Sequence, residues 1–303
     1  MQDLKGSITF ADLAEMYLAY AKVNKKSWKR DVSSFKKLLP VFENMRIKDI
    51  SAFHIEKYKQ KRREEVSKAS TNREIALLKH MFNLAIMWKK ASHNPVREVK
   101  LFKERNQRVR FLTEEEIHKL IEYCLPQLKP IVITALTTGM RRGEILKLKW
   151  KNVDFERSLI TIEETKNDSV RRIPINDFLK EILLNLESRN TNEYVFLNIH
   201  KRPYSDIKTA WQKAIKKAGI KDFRFHDLRH TFASYLVMSN VNLKTVQELL
   251  GHKSMQMTMR YSHLSGEYKY QAVNILERRL GFNNGHHMDT IEKFEKDMKP
   301  EKL

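Results

Sequence analysis

The sequence predicts a mainly α-helical protein with a small antiparallel β-sheet, built as an N-terminal four-helix domain followed by an α+β domain. Three observations predict it. Apolar residues recur three and four apart through most of residues 8–90, the period of helices buried on one side. Asn94-Pro95 and a polar, basic, aperiodic stretch then break that period and divide the chain. Further on, Leu-Ile-Thr-Ile and Val-Arg-Arg-Ile-Pro-Ile flank the turn-forming Lys-Asn-Asp-Ser, the pattern of a hairpin.

In the first domain, residues 1–102, Thr9 is placed to cap a helix carrying Phe10, Leu13, Met16, Tyr17 and Tyr20. A second helix starts after Ser27 with Trp28, Val32, Phe35 and Leu39 inward and Lys29, Arg30, Lys36 and Lys37 outward. Pro40 is expected to end it, because proline removes a helix donor. A third runs through Ile55 and Tyr58 into the charged KYKQKRREE. A fourth, from near Ser70, aligns Ile75, Leu78, Met81, Phe82, Ala85 and Trp88. Short connections make these a small bundle.

Residues 103–110 read as a basic linker, and residues 111–285 as the second domain, opened by a capping box between Thr113 and Glu116. The apolar IVITALTTGM leads to Gly139 and to Arg141, Arg142, Gly143 and Glu144. The hairpin follows, then a helix from about Asn176 to Ser188, a short strand YVFL and a helix through Trp211 to Lys217. His226 and Arg229 open another helix, which Phe232, Tyr235 and Leu236 continue. Gly251 ends the next, with His252 just past it, and Tyr261 lies nine residues on. The segment SGEYKYQAVNILERRL is amphipathic, and in the tail, 286–303, Ile291, Phe294 and Met298 form a weak stripe.

With 303 residues and 41% hydrophobic content, the chain is long and apolar enough for a core in each domain. A formal charge of +21 calls for a polyanionic partner. Residues 1–110 hold 26 Lys and Arg against 12 Asp and Glu, while the rest hold 32 against 25. The N-terminal third is therefore the expected clamp on a phosphate backbone, with Lys29, Arg30, Thr71, Asn72 and Arg73 as candidate contacts. The single cysteine, Cys124, excludes an internal disulfide and a cysteine-based zinc site. There is no apolar run of about 20 residues and no signal-peptide core, so the expectation is a soluble cytoplasmic protein. His286-His287 is too isolated for a metal site, and no cofactor is expected.

His226 and Arg229, three apart at a helix start, suit a phosphate oxygen, because an imidazole and a guanidinium fork add to the unpaired N–H groups there. By themselves the residues leave Arg141 and Arg142 undecided, and Lys166 at the hairpin tip is an ordinary surface lysine.

The wording HDLRH, then LLGH, then MRYSH resembles the C-terminal signature of the tyrosine recombinase, or phage integrase, family. TGMRRGEILKLKWKNVDFE resembles its first box. More loosely, ENMRIKDISAFHIEKYKQKRRE with STNREIALLKHMFNLAI resembles its core-binding domain. The resemblance implies a core-binding domain joined to a catalytic domain in which Arg141, Arg229, His226 and His252 hold the scissile phosphate and Tyr261 attacks it. Glu144 supports Arg141, and Lys166 protonates the leaving oxygen. His226 is the expected general base. The implied function is metal- and ATP-independent site-specific recombination of double-stranded DNA through a 3′-phosphotyrosyl intermediate. A homo-tetramer would act with or without accessory DNA-bending proteins, and C-terminal segments would pack onto neighbouring subunits. Two alternatives share much of this sequence: a DNA-binding regulator that kept the fold without the chemistry, and a type IB topoisomerase. The core-binding similarity disfavours the second. The short stretch before Ile8 leaves no room for an arm-binding domain and leans toward a simple Xer-like type.

Overall fold

The computed structural model describes residues 8–104, 110–164 and 169–264, with residues 274, 275, 279 and 280 beyond them. The chain divides into two compact units, Met1–Asn106 and Gln107–Leu303. Most of the linker stretch, Lys166, nearly all of SGEYKYQAVNILERRL and the 286–303 tail lie outside the described residues.

The first unit holds α1 (Phe10–Asn24), α2 (Trp28–Phe42), α3 (Ala52–Glu65) and α4 (Lys68–Met87). Thr9 caps α1 reciprocally: its hydroxyl accepts the Asp12 N–H at 3.2 Å, and its own N–H donates to the Asp12 carboxylate at 2.9 Å. The core forms around Phe10, Tyr17, Phe35, Phe42 and Phe82, all at most 2% exposed. Two buried carboxylates fix how the helices pair. Asp31 accepts from the Tyr17 hydroxyl at 3.0 Å and from Lys25 at 2.6 Å, tying α1 to α2. Glu74 accepts from the Tyr58 hydroxyl at 2.6 Å and from Arg62 at 3.0 Å, tying α4 to α3.

Two expectations for this unit need correction. Pro40 does not end α2, which continues to Phe42. The helix is exposed at Pro40, whereas Phe42 packs its ring 5.4 Å from Phe10 and 5.5 Å from Tyr58, and that burial outweighs one lost backbone bond. Its inward face is also rotated, with Asp31, Phe35, Leu38 and Phe42 buried and Trp28, Val32 and Leu39 only half-buried. The second correction removes Thr71 and Asn72 from the candidate DNA contacts. Thr71 is fully buried and donates to the Ser67 carbonyl. The Asn72 amide donates to the Phe102 carbonyl at 2.9 Å and accepts the Phe102 N–H at 2.9 Å, clamping the chain after a short 3-10 turn (Pro95–Glu98). Lys29, Arg30 and Arg73 are exposed.

The second unit begins with α5 (Glu114–Tyr123), capped by Thr113 and Glu116, then α6 (Lys129–Thr138) and the short α7 (Arg142–Leu146). A three-stranded antiparallel sheet follows in the order β1 (Val153–Asp154), β2 (Leu159–Glu164), β3 (Ser169–Pro174), with Ile160 opposite Ile173 and Ile162 opposite Arg171. Strand β1 is an addition to the expected hairpin. Then come α8 (Asp177–Leu184), which stops short of Ser188, and α9 (Lys208–Lys217). YVFL is not a strand. Val195 and Phe196 are buried, but Tyr194 and Leu197 make only isolated bridges, to Lys149 and to Pro203. The first bridge cannot lengthen because Trp150–Asn152 turns into a 3-10 helix, and Pro203 offers the second no N–H.

The chain closes on α10 (Asp227–Met238), α11 (Leu243–Leu250), α12 (Met255–Thr258) and a 3-10 turn, Met259–Leu264. Helix α10 packs on α6, and Ala233, Val237, Val246 and Leu250 form a separate small core around Tyr261. No described helix is long and apolar enough to cross a membrane.

Candidate active site

Two glycines at helix ends set the site's floor. Gly139 ends α6 and Gly251 ends α11, both left-handed, with φ of +62° and +63°. A Cβ at Gly139 would lie 2.4 Å from the Phe232 ring, and one at Gly251 would lie 2.5 Å from the Arg171 guanidinium. Both turns are therefore closed to other residues by space as well as by φ.

The last carbonyls of a helix have no partner within it and carry the negative end of its dipole. Three guanidiniums converge on the end of α11. Arg229, on the first turn of α10 and 3% exposed, donates to the Leu250 carbonyl and, at 2.7 Å, to the Gly139 carbonyl. Arg171 on β3 also donates to Leu250, and Arg141 donates to Gly251 at 3.3 Å.

Glu144 ties two of these cations together. Its carboxylate accepts from the Arg141 guanidinium at 2.7 Å, from the Arg141 backbone N–H at 2.9 Å and from Arg171 at 2.6 Å. Burial pushes the Glu144 carboxyl up, but Arg171 and Arg141 more than offset this and hold it below its ordinary range. Of the two arginines that the residues alone left undecided, Glu144 holds Arg141. Arg142 turns away to Asp206 at 3.0 Å, with half its side chain exposed.

His226 precedes α10, and His252 follows Gly251 with its Nδ1 fixed 2.9 Å from the Thr258 hydroxyl. Burial lowers the pKa of His226, and the Arg229 charge lowers it further. Burial, then Arg229 and Arg141, pull His252 down to about 4. Arg229 is itself shifted down, by burial first and then by Arg141 and Arg171. Guanidiniums do not lose their protons in proteins, so the pocket stores positive charge that an incoming anion would relieve.

Tyr261 is 1% exposed, and its hydroxyl lies 2.6 Å from the Nδ1 of His230, not on His226 as expected of the general base. Burial pushes the phenol up to about 12, against the pull of Arg260 and Arg229. His230, pulled down to about 4 by burial and then by His226, stands with its ring edge-on to His226 at 5.5 Å.

The structure thus gathers Arg141, Glu144, His226, Arg229, His252 and Tyr261 into one site, while Lys166 lies outside the described residues. Sequence reasoning did not single out Arg171 or His230. For Arg171 a signal was present, because strand alternation puts it on the same face as the buried Ile173 and Ile175. His230 carried none beyond its place in HDLRH.

Guanidiniums and imidazoles thus gather around paired helix-end carbonyls, with the Tyr261 hydroxyl at the edge of the group. The chain belongs to the phage integrase family: the family's own domain matches residues 110–267, and the phage integrase N-terminal domain matches residues 7–103. Among its relatives, the integrase of Salmonella phage P22 is 34% identical over 210 residues, 64% of this chain and 53% of the relative. The chain thus spans about half the length of that phage protein. A tyrosine recombinase of Pseudothermotoga lettingae is 30% identical over 256 residues, 81% of this chain and 89% of the relative. A lambda integrase tetramer bound to a Holliday junction has the same fold, with a TM-score of 0.71 at 22% identity over 84% of this chain and 80% of the other.

The depressed histidines make stability depend on pH. Between about 4 and 6.5 the unfolded chain binds more protons at His230 and His252 than the native one, so stability rises with pH through that window. The calorimetric midpoint should be flat above pH 7 and fall steadily from 6.5 to 5, before ordinary carboxylates titrate. His230→Phe should flatten part of that slope. A wild-type midpoint constant from pH 7 to 5 would contradict the assignment.

Proposed function

We propose that the protein is a site-specific DNA recombinase that cuts and rejoins strands of double-stranded DNA through a 3′-phosphotyrosyl intermediate, acting as a homo-tetramer. One observation carries the reading: Arg141, Arg229, His226 and His252, brought from three places in the chain, surround the end of α11 beside the Tyr261 hydroxyl.

A phosphodiester repels an attacking oxygen, and the pentavalent state gathers more negative charge on the non-bridging oxygens. Arg141 and Arg229 present forked donors to those oxygens, and the two imidazoles add more. Bound phosphate raises the depressed histidine pKa values, so binding takes up protons and tightens as the pH falls. The Tyr261 oxygen bonds to phosphorus, the 5′ oxygen departs, and Lys166 is the candidate donor of its proton. Energy kept in the phosphotyrosyl bond lets a second strand's 5′ hydroxyl reverse the step without ATP. The excess of cations in residues 1–110 supplies salt-sensitive grip on the backbone, for which exposed Lys29, Arg30 and Arg73 remain candidates. The solved lambda integrase tetramer on a Holliday junction supports DNA as substrate and four subunits as the working assembly.

The near-complete burial of Tyr261 favours a second reading, a DNA-binding regulator without chemistry. Covalent capture separates the two. The full-length protein is incubated with duplex oligonucleotides of randomised sequence, each nicked so that the cleaved fragment diffuses away. The recombinase reading expects a protein–DNA band that survives denaturant, disappears with protease and is absent from Tyr261→Phe. Duplex binding by gel shift without any such band in the wild type would favour the regulator.

A further inference from the structure

We propose that His230 is a catalytic residue, the group that takes the proton from Tyr261 as its oxygen attacks phosphorus. The inference rests on the recombinase reading and deepens it, since that reading leaves the phenol's proton without a destination.

The geometry begins with the hydroxyl. A buried phenol must donate its hydrogen to something, because a buried O–H without a partner loses the hydrogen bond water would give it. Here the partner is the Nδ1 of His230 at 2.6 Å, with the ring centroids 5.8 Å apart. His230 is on the second turn's edge of α10, and α10 packs against the 3-10 turn that carries Tyr261, so a rigid element holds the imidazole on the reacting oxygen. Without a proton of its own on Nδ1, the ring is an acceptor. At 9% exposure it is also sheltered from water that would compete for the bond.

The groups facing His230 favour its neutral form at rest and then make room for charge. From its own helix it meets His226, Asp227 and Arg229; from the turn carrying Tyr261 it meets Arg260; and His252 is close enough to feel it from beyond α11. Four of these, His226, Arg229, Arg260 and His252, are cations or imidazole rings that discourage a further positive charge. Asp227 is the exception, a carboxylate one turn back that favours the imidazolium. A phosphate bound by Arg141 and Arg229 adds negative charge on the same side and moves the balance further toward proton uptake.

The Tyr261 O–H bond breaks and its proton passes to His230 Nδ1, while an oxygen lone pair forms the new bond to phosphorus. The bond from phosphorus to the 5′ oxygen breaks with its electron pair on that oxygen, which takes a proton from the general acid, for which Lys166 is the candidate. In the rejoining direction the imidazolium returns its proton to the tyrosine oxygen. His226, edge-on to His230 at 5.5 Å, is then left to bind phosphate rather than to act as base.

The test uses the full-length protein and a duplex recovered by covalent capture from the randomised nicked pool. Under single turnover, His230→Ala should slow covalent-complex formation by about 100-fold or more, as expected for loss of a general base, with duplex binding changed less than about threefold. Added imidazole should restore at least about tenfold of that loss, in proportion to its unprotonated fraction. His230→Gln keeps a hydrogen-bonding partner for the hydroxyl but cannot take its proton, and should be as slow as the alanine variant with no imidazole response. A glutamine variant as fast as the wild type, or an alanine variant that imidazole does not accelerate, would reduce His230 to a positioning role and overturn the inference. A wild type that forms no covalent complex with any duplex would remove the recombinase reading itself, and this inference with it.

Discussion

Replacing Arg229 by lysine should lower the rate of covalent-complex formation by about two orders of magnitude or more, the effect of removing one preorganised donor from an oxyanion site. The loss is this large because Arg229 performs two tasks from one rigid plane. Its fork is anchored by the Gly139 and Leu250 carbonyls, at the ends of α6 and α11, and that anchoring aims the guanidinium before DNA arrives. Lysine has the charge without the fork and cannot hold two carbonyls while facing a phosphate. Stability should change much less. The substitution leaves one buried carbonyl short of a donor, costing about 1–3 kcal/mol, but it also relaxes the crowding of Arg229 against Arg141 and Arg171. A single-turnover rate for the lysine variant within tenfold of the wild type would show that charge alone suffices there. Calorimetry on the same samples separates the pocket from the fold.

How much of this was readable in the sequence depends on whether the determining contact was local. Thr9 with Asp12 and Thr113 with Glu116 are complete within one turn, and both caps form as their spacing requires. Gly251 marks its helix end for the same reason. Pro40 and YVFL went the other way, because a distant partner decided each: the rings of Phe10 and Tyr58 for Phe42, and a bent Trp150–Asn152 segment beside the would-be strand. Asn72 looked like a surface amide until the backbone at Phe102 came round to occupy it. The site divides along the same line. Its motif residues were identifiable by resemblance, and the choice of Arg141 over Arg142 rested on register alone; in the fold Glu144 holds the first and Asp206 the second. That Tyr261 lies on His230, thirty-one positions away in sequence, follows from how α10 meets the last turn, which no local pattern encodes.

Glu144→Ala should be the most costly change to the fold within the site. The side chain is 15% exposed and is the carboxylate joining Arg141 and Arg171, so its removal leaves two guanidiniums facing each other beside the α11 carbonyls. Breaking a buried ion pair from one side typically costs about 3–5 kcal/mol, because the abandoned charge stays desolvated. Arg141 is more exposed than Arg171, at 37% against 11% of its side chain, and can recover some hydration, which places the expected loss of unfolding free energy near 3 kcal/mol. The rate of covalent-complex formation should fall about 100-fold as well, since Glu144 also accepts the Arg141 backbone N–H and so sets both ends of that residue. A second substitution separates these effects. Arg171→Met added to Glu144→Ala removes the more buried stranded cation, so the double variant should regain part of the lost stability. It should not regain rate, because Arg141 still lacks its holder. Chemical denaturation and single-turnover capture on the two variants and their parent give both quantities. A double variant that recovers rate along with stability would mean that Arg141 finds the phosphate without Glu144, and that the carboxylate serves the fold alone.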